Sequence, residues 1–184
     1  MEALTKTVNG FDQGAIAQVV TTLQENPDIG NFELRATNKW IDAGHNRSYI
    51  QGFYGAGQED TSRTEPFIYD NDEPPVLLGA NKGANPGEVL LHGLAGCMTT
   101  AMVLLAAARG IEIGTVSSKV EGDIDIKGFL GLNATGAKGF SQIRVSFNIT
   151  GVDDKQKEEL LSLAKQSPLF NSLIYPTDVQ VGIE

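Results

Sequence analysis

The residue of this 184-residue chain best suited to covalent chemistry is its single cysteine, Cys97. A cysteine thiolate is a nucleophile and can be oxidised when solvent reaches it. The alternative is that Cys97 is a small buried hydrophobe, as free cysteines often are. Because no second cysteine is present, an intrachain disulfide and a cysteine-rich zinc site are both excluded.

Two histidines and a carboxylate are the other candidates. Glu88 and His92 are four residues apart and could pair on one face of a helix. His92 and Cys97 do not share a face, so the spacing predicts neither a metal site nor a Cys–His dyad. We expect His92 to be a hydrogen-bonded core or interface residue. His45 lies in a turn, where we expect it to be solvated, although it is near enough to Arg47 to reach the same pocket.

A stretch over residues 85–110 must position Cys97, and its pattern predicts a long helix. Asn85 can cap this helix, Pro86 suits its first position, and Gly110 suits its end. The run is apolar nearly all round, which is typical of a central, enclosed helix. It is also long enough to cross a membrane. We favour the core helix, because a histidine, glycines and threonines dilute the run and no positive cluster flanks it.

Composition excludes several classes of protein. A hydrophobic content of 41% with 20% charged residues is typical of one soluble globular domain. The net charge of −9 argues against nucleic acid and anionic membrane surfaces as partners. The first residues lack the basic start and apolar run of a signal peptide, so we expect a cytoplasmic location. The glycines match no phosphate-binding loop, and we expect no cofactor and no metal.

The remaining pattern predicts an α+β fold, with helices grouped against mainly antiparallel strands. The clearest strand covers residues 141–150, where apolar and polar residues alternate strictly. Asp153 and Gln156 can form a capping box for a second helix that runs to about residue 166. The other predicted elements are a helix over 11–24, strands over 32–41, 47–53, 115–125 and 179–183, a turn at 44–46, a polar loop over 55–63, a linker over 66–83, an apolar loop over 128–132 and a short turn over 169–173.

Two motifs carry a family resemblance. Asn85-Pro86, followed by Glu88, two leucines and the run Ala95-Gly96-Cys97, resembles the signature of the OsmC/Ohr family. Ser167-Pro168, between a helix and a predicted closing strand, is similar to that family's second motif. The resemblance covers residues 30 to 184. We therefore expect an N-terminal helical extension over residues 1–30 and a single OsmC-like domain over residues 31–184.

The resemblance implies an OsmC-like fold in an intertwined homodimer, with strands from both chains around each long central helix. A helix that is enclosed on every side needs more cover than one small sheet provides, and a second chain is the simplest source of it. The resemblance also implies thiol-dependent reduction of organic hydroperoxides at the dimer interface. The implied partners are a second copy of the chain, an organic hydroperoxide and an external thiol reductant.

Site residues follow from the same resemblance. Cys97 matches the family's peroxidatic cysteine, which attacks the terminal peroxide oxygen, becomes a sulfenic acid and releases an alcohol. Cys97 is far from the positive helix N-terminus, so a nearby cation must stabilise its thiolate. Arg47 is at the position similar to the family's active-site arginine. It could instead be a solvated residue at a strand end, with Arg35 and Arg63 as substitutes.

The sequence departs from the family pattern twice. The family's resolving cysteine is replaced by Ser167, which cannot form a disulfide, so an external thiol would have to reduce the sulfenic acid. The family's glutamate, which follows the Asn-Pro pair and orients the arginine, is replaced by Gly87. Glu88 comes one residue later and, at about 100° per residue, lies on the side of the helix opposite Cys97. It could replace the missing carboxylate only if the helix start is irregular.

Two hypotheses remain open. The first is an OsmC-like enzyme that reduces organic hydroperoxides with one cysteine, using Cys97 as nucleophile, Arg47 as activator and Glu88 as the carboxylate. The second is a non-catalytic protein of the same fold that binds a small apolar ligand, with Cys97 structural or redox-sensing. Residues 129–132 could cover the apolar face in that case. The residues predicted to share the face of Cys97 are Leu90, Gly93, Leu94, Thr100, Ala101 and Leu104.

Overall fold

The computed structural model describes residues 6–132 and 138–183. The chain forms two compact units. The core unit comprises residues 1–13 and 91–184, and the hairpin unit comprises residues 14–90.

The described residues form an α+β fold with small antiparallel sheets, as predicted. In chain order, the strands are β1 (Thr7–Val8), β2 (Phe11–Asp12), β3 (Thr37–Asp42), β4 (His45–Ile50), β5 (Phe53–Gly55), β6 (Gln58–Asp60), β7 (Phe67–Asn71), β8 (Thr115–Ile124) and β9 (Phe140–Thr150). The α-helices are α1 (Gln13–Glu25), α2 (Pro86–Ala108), α3 (Ile126–Phe129), α4 (Asp154–Ala164) and α5 (Pro168–Ile174), and 3₁₀ turns lie at Pro27–Gly30 and Pro75–Leu77.

One face of α2 forms the hydrophobic core of the core unit. Leu94, Met98, Met102 and Ala106 recur at every fourth position, so they lie on one side of the helix, and all four are buried. This face packs against α4 and the inner side of the β8–β9 hairpin. The other core residues are Ile111, Ile149, Leu160, Leu163 and Ala164, with Val116, Val120, Ile143, Val145 and Phe147 packed beside them.

The N-terminal segment fastens the far end of α2. The Gln13 side-chain amide donates to the Ala107 carbonyl at 2.7 Å, and the same carbonyl at the helix C-terminus also accepts from the Gly110 N–H. The Asn9 amide donates to the Ile111 carbonyl and accepts from the Ile113 N–H, both at 2.9 Å, as a neighbouring strand would. Residues 6–13 therefore belong with the core of the protein by their contacts.

The hairpin unit contains a three-stranded sheet in the order β3-β4-β7, with both pairs antiparallel. The turn predicted over residues 44–46 lies at Ala43-Gly44 instead: Ala43 has a left-handed φ of 45°, and His45 already pairs with Asp42 as the first residue of β4. The expectation that His45 is a solvated turn residue is also wrong, because its side chain is only 20% exposed and contacts Asp70. A second, short hairpin pairs β5 with β6. The helix predicted over residues 11–24 is α1, but it begins at Gln13 because Phe11–Asp12 pair with β1 as β2. The division of the chain at residue 30 remains a prediction.

Several predicted element boundaries are wrong. The linker over 66–83 contains β7, because Phe67, Ile68 and Tyr69 pair with β4. The polar loop over 55–63 contains β6, and the apolar loop over 128–132 begins inside α3. The turn over 169–173 is the helix α5. The strand predicted over 179–183 is not formed, because no described strand pairs with it: Val181 is 93% exposed, and an extended segment without a partner makes no ladder.

A single chain leaves much apolar surface uncovered. Among the described residues, large apolar side chains that are more than half exposed include Leu34, Trp40, Phe67, Val76 and Leu78. The predicted enclosure of α2 on every side is not met within one chain, since Leu90, His92, Gly96 and Thr100 are exposed. By length and composition α2 could cross a membrane, but its buried face packs as that of a core helix.

Candidate functional site

Cys97 lies in the middle of α2, on a flank of the buried face. The residue before it, Gly96, lies next to open space, because a Cβ built there would meet no atom within 4 Å. The Cys97 side chain itself is half-buried, whereas the next residue, Met98, is 4% exposed. Cys97 is therefore neither sealed in the core nor fully in water.

Ser167 is a structural residue of the α5 start. Its hydroxyl oxygen accepts from the Phe170 N–H at 3.3 Å, which is the N-cap contact, and Pro168 occupies the first helical position. Ser167 is fully buried. On the same helix, Leu169 Cδ1 would lie 3.5 Å from a Cβ at Gly93, one turn before Cys97. The element that carries the implied resolving position therefore packs beside the cysteine helix, but it presents a hydroxyl cap instead of a thiol.

Glu88, the carboxylate predicted for the site, caps the start of α2. Asn85 Oδ1 accepts from the Gly87 N–H at 2.7 Å, and Glu88 Oε2 accepts from the Asn85 N–H at 2.9 Å. Together these two bonds form a reciprocal cap of the helix start. The Asn85 amide also donates to the Glu73 carboxylate. Among the described residues, no hydrogen bond or ion pair joins Glu88 to an arginine.

Arg47 is held by a carboxylate that the sequence analysis did not single out. Its Nε and Nη2 groups donate to Asp70 Oδ1 and Oδ2 at 2.9 and 3.0 Å, and His45 Nε2 lies 2.8 Å from Asp70 Oδ1. Hydrogen bonds from Arg47 and then His45 hold the pKa of Asp70 below its ordinary value. The Asp70 carboxylate in turn raises the pKa of Arg47. Arg47 and His45 therefore meet on one anion.

The two substitute arginines are committed elsewhere in the hairpin unit. Arg35 donates to the carboxylates of Glu59 and Glu33, and these contacts raise its pKa. The Arg63 guanidinium stacks over the rings of Phe53 and Phe67 at 5.4 and 5.3 Å from their centroids. Arg47 is thus the arginine of the three whose partner carboxylate, Asp70, also binds the candidate site residue His45.

The structure brings some of the predicted residues together. Arg47 and His45 share Asp70 in the hairpin unit, whereas Cys97 and Ser167 belong to the core unit. The meeting of Arg47 with Cys97 remains a prediction. His92 is exposed, so the expectation of a core histidine fails, and an interface role remains a prediction. Over residues 6–132 and 138–183, no group of three or more His, Cys, Asp or Glu side chains is placed to hold a metal ion.

Comparison with known proteins identifies the family. A family model described as OsmC-like protein matches residues 79–182, which include α2, the β8–β9 hairpin, α4 and α5. The chain belongs to the OsmC-like protein family. The OsmC-like assignment covers both motifs found in the sequence, Asn85-Pro86 with Cys97 and Ser167-Pro168. No curated protein matches the chain.

Solved structures agree with the OsmC-like fold. An OsmC-like protein from Mycoplasma pneumoniae superposes with a TM-score of 0.57 at 22% identity, over 77% of this chain and 87% of that chain. The organic hydroperoxide resistance protein OsmC from Legionella pneumophila superposes with a TM-score of 0.53 at 22% identity, over 76% of this chain and 88% of that chain. At this identity the likeness establishes the fold.

Titration of Asp70 should appear in the stability of the protein. Its pKa is lower in the folded state than the ordinary value of about 3.9, so the carboxylate stabilises the fold above that pH and loses this effect as pH falls through the folded pKa. We expect the melting temperature of Asp70→Asn to lie below that of the wild type. The difference should be constant between about pH 7 and 5 and should shrink as the pH falls below about 4. Melting curves of both proteins test this. A difference that persists unchanged to about pH 2 would contradict it.

Proposed function

We propose that this OsmC-like protein reduces organic hydroperoxides with Cys97 as its single reactive thiol and Arg47 as the activating cation. An external thiol returns Cys97 to its reduced form. A reducing cytoplasm, where small thiols are abundant, suits this cycle.

The proposed reaction has two stages. The Cys97 thiolate attacks the terminal oxygen of the hydroperoxide; an S–O bond forms, the O–O bond breaks, and the alkoxide takes a proton and leaves as an alcohol. Cys97 is then a sulfenic acid. One external thiol displaces its hydroxyl as water and forms a mixed disulfide, and a second thiol releases Cys97 as the second sulfur joins the first. Two thiols thus supply the two electrons that reduce the peroxide.

The observation that carries the proposal is the half-buried Cys97 on the central helix of an OsmC-like domain. Chemistry by this thiol needs both partial access and a stabilised thiolate. The name of the Legionella protein, an organic hydroperoxide resistance protein, supports peroxide as the class of substrate. The buried cap hydroxyl of Ser167 supports an external thiol in the second stage, because the chain holds no second cysteine.

We further propose that the active form is a homodimer. Exposed large apolar side chains of the hairpin unit, among them Trp40, Phe67 and Ile68, support this, because a second copy would remove them from water.

The dimer can be tested by sedimentation equilibrium at neutral pH. We expect a mass twice the 19.7 kDa of one chain across the accessible range of protein concentration. A mass of one chain at every concentration would contradict the dimer, and the exposed apolar surface would then need another partner.

The activity can be tested with cumene hydroperoxide and a small dithiol as the external reductant. We expect the wild type to consume the peroxide and Cys97→Ser to lose this consumption, because the serine hydroxyl forms no comparable nucleophile at neutral pH. Melting curves should show that both proteins are folded. Equal consumption by the two folded proteins would contradict the proposal. An inert wild type that carries bound lipophilic material would favour the alternative, a non-catalytic protein that binds a small apolar ligand.

A further inference from the structure

Asp70 is opposite Arg47 in the sheet of the hairpin unit. The β4–β7 register pairs Arg47 with Asp70 directly, and directly opposed side chains of an antiparallel pair lie on one face within contact distance. His45 is two residues before Arg47 and so points to that same face. The backbone register alone therefore brings the three polar side chains together.

The Asp70 backbone is itself held in place. A Cβ at Gly83 would lie 1.9 Å from the Asp70 carbonyl oxygen, so the chain after the Pro75–Leu77 turn returns against β7 at a distance that only glycine permits. Asp72, two residues after Asp70, is 2% exposed and accepts from the backbone N–H groups of Glu73, Ala80 and Lys82 at 2.8 to 3.0 Å. The returning loop thus fixes the end of β7.

The ion pair occupies one edge of the Arg47 guanidinium, and the Tyr49 side chain also interacts with this group. Asp70 takes the Nε–Nη2 edge of the guanidinium in a bidentate arrangement. A guanidinium has five N–H donors, so the Nη1 donors lie outside this pair. A carboxylate on one edge fixes the plane of the group and directs the remaining donors.

Glu88 does not serve Arg47 in this arrangement. Its carboxylate oxygen accepts from the Asn85 N–H as part of the helix cap. Position 87, where the family resemblance implies a carboxylate, has no side chain. Asp70 is therefore the anion that contacts Arg47.

We infer that Asp70, braced by His45, is the positioning residue for Arg47 and takes the part of the carboxylate missing at position 87. The consequence for peroxide reduction rests on the proposed function, whereas the hold of Asp70 on Arg47 does not. Asp70 touches no reacting atom in this account; it acts through the orientation of the guanidinium.

The experiment measures the second-order rate of Cys97 oxidation by cumene hydroperoxide in single turnover. Asp70→Asn keeps the shape of the side chain and removes its charge, and we expect it to lower the rate about tenfold, as loss of a charged hydrogen bond does. His45→Ala leaves both Arg47–Asp70 bonds in place and should lower it less. The matched control is Asp123→Asn, which breaks a similar bidentate pair with Arg144 between β8 and β9 and should leave the rate unchanged.

Two further readouts separate positioning from loss of folding. If Asp70 acts only through Arg47, Asp70→Asn should cause no further loss when it is added to Arg47→Ala, so the two effects are not additive. The Arg47 Nε–H proton should exchange slowly with water in the wild type, so that its ¹H–¹⁵N NMR signal is visible. In Asp70→Asn this signal should be lost. This signal does not depend on peroxide.

The outcomes are distinguishable. A wild type whose Cys97 does not react with peroxide overturns the proposed function, and the NMR signal still decides whether Asp70 holds Arg47. A reactive wild type with an equally reactive Asp70→Asn overturns only the inference. The inference is also overturned if the rate losses of Asp70→Asn and Arg47→Ala are fully additive. A third contrary result is a larger rate loss in Glu88→Gln than in Asp70→Asn, because Glu88→Gln keeps an acceptor for the helix cap.

Discussion

The constraint on which the structure depends is the burial of α2, a helix that is apolar nearly all round. Its Leu94–Ala106 face is covered by α4 and the β8–β9 hairpin, and its C-terminus is fastened by Gln13. On another side of the helix, Gly96 and Thr100 are exposed. A second copy is the cover that we propose for the exposed side of α2. Cys97 lies at the edge of the covered face, where its side chain is partly packed and partly accessible to solvent.

Polar groups around α2 and β4 are divided between two tasks. Asn85 and Glu88 satisfy the free N–H groups at the helix start, and Ser167 does the same for α5. These residues stabilise helix ends. The ion pair of Arg47 with Asp70 instead joins two strands of the hairpin unit and holds a cation in a fixed plane. The chain thus keeps a directed arginine although positions 87 and 167 have lost the groups that the family resemblance implies.

Much of the fold could be predicted from the sequence where the pattern was long and regular. The 141–150 alternation gave β9, the capping box at Asp153 and Gln156 gave α4, and the apolar run gave α2. Asp70 could not be found in this way, because it lies in a stretch that two prolines made resemble a linker, and its pairing with Arg47 depends on strand register. The segment over 179–183 has the alternation of a strand, but pattern alone does not supply a partner.

The most direct test of a single-thiol peroxidase follows Cys97 by intact mass after addition of cumene hydroperoxide or hydrogen peroxide, with and without a small dithiol. We predict rapid gain of one oxygen atom, faster with the organic peroxide, and return to the starting mass with the dithiol. An unchanged mass at excess peroxide would contradict the account, and would mean that the fold keeps its cysteine without the chemistry.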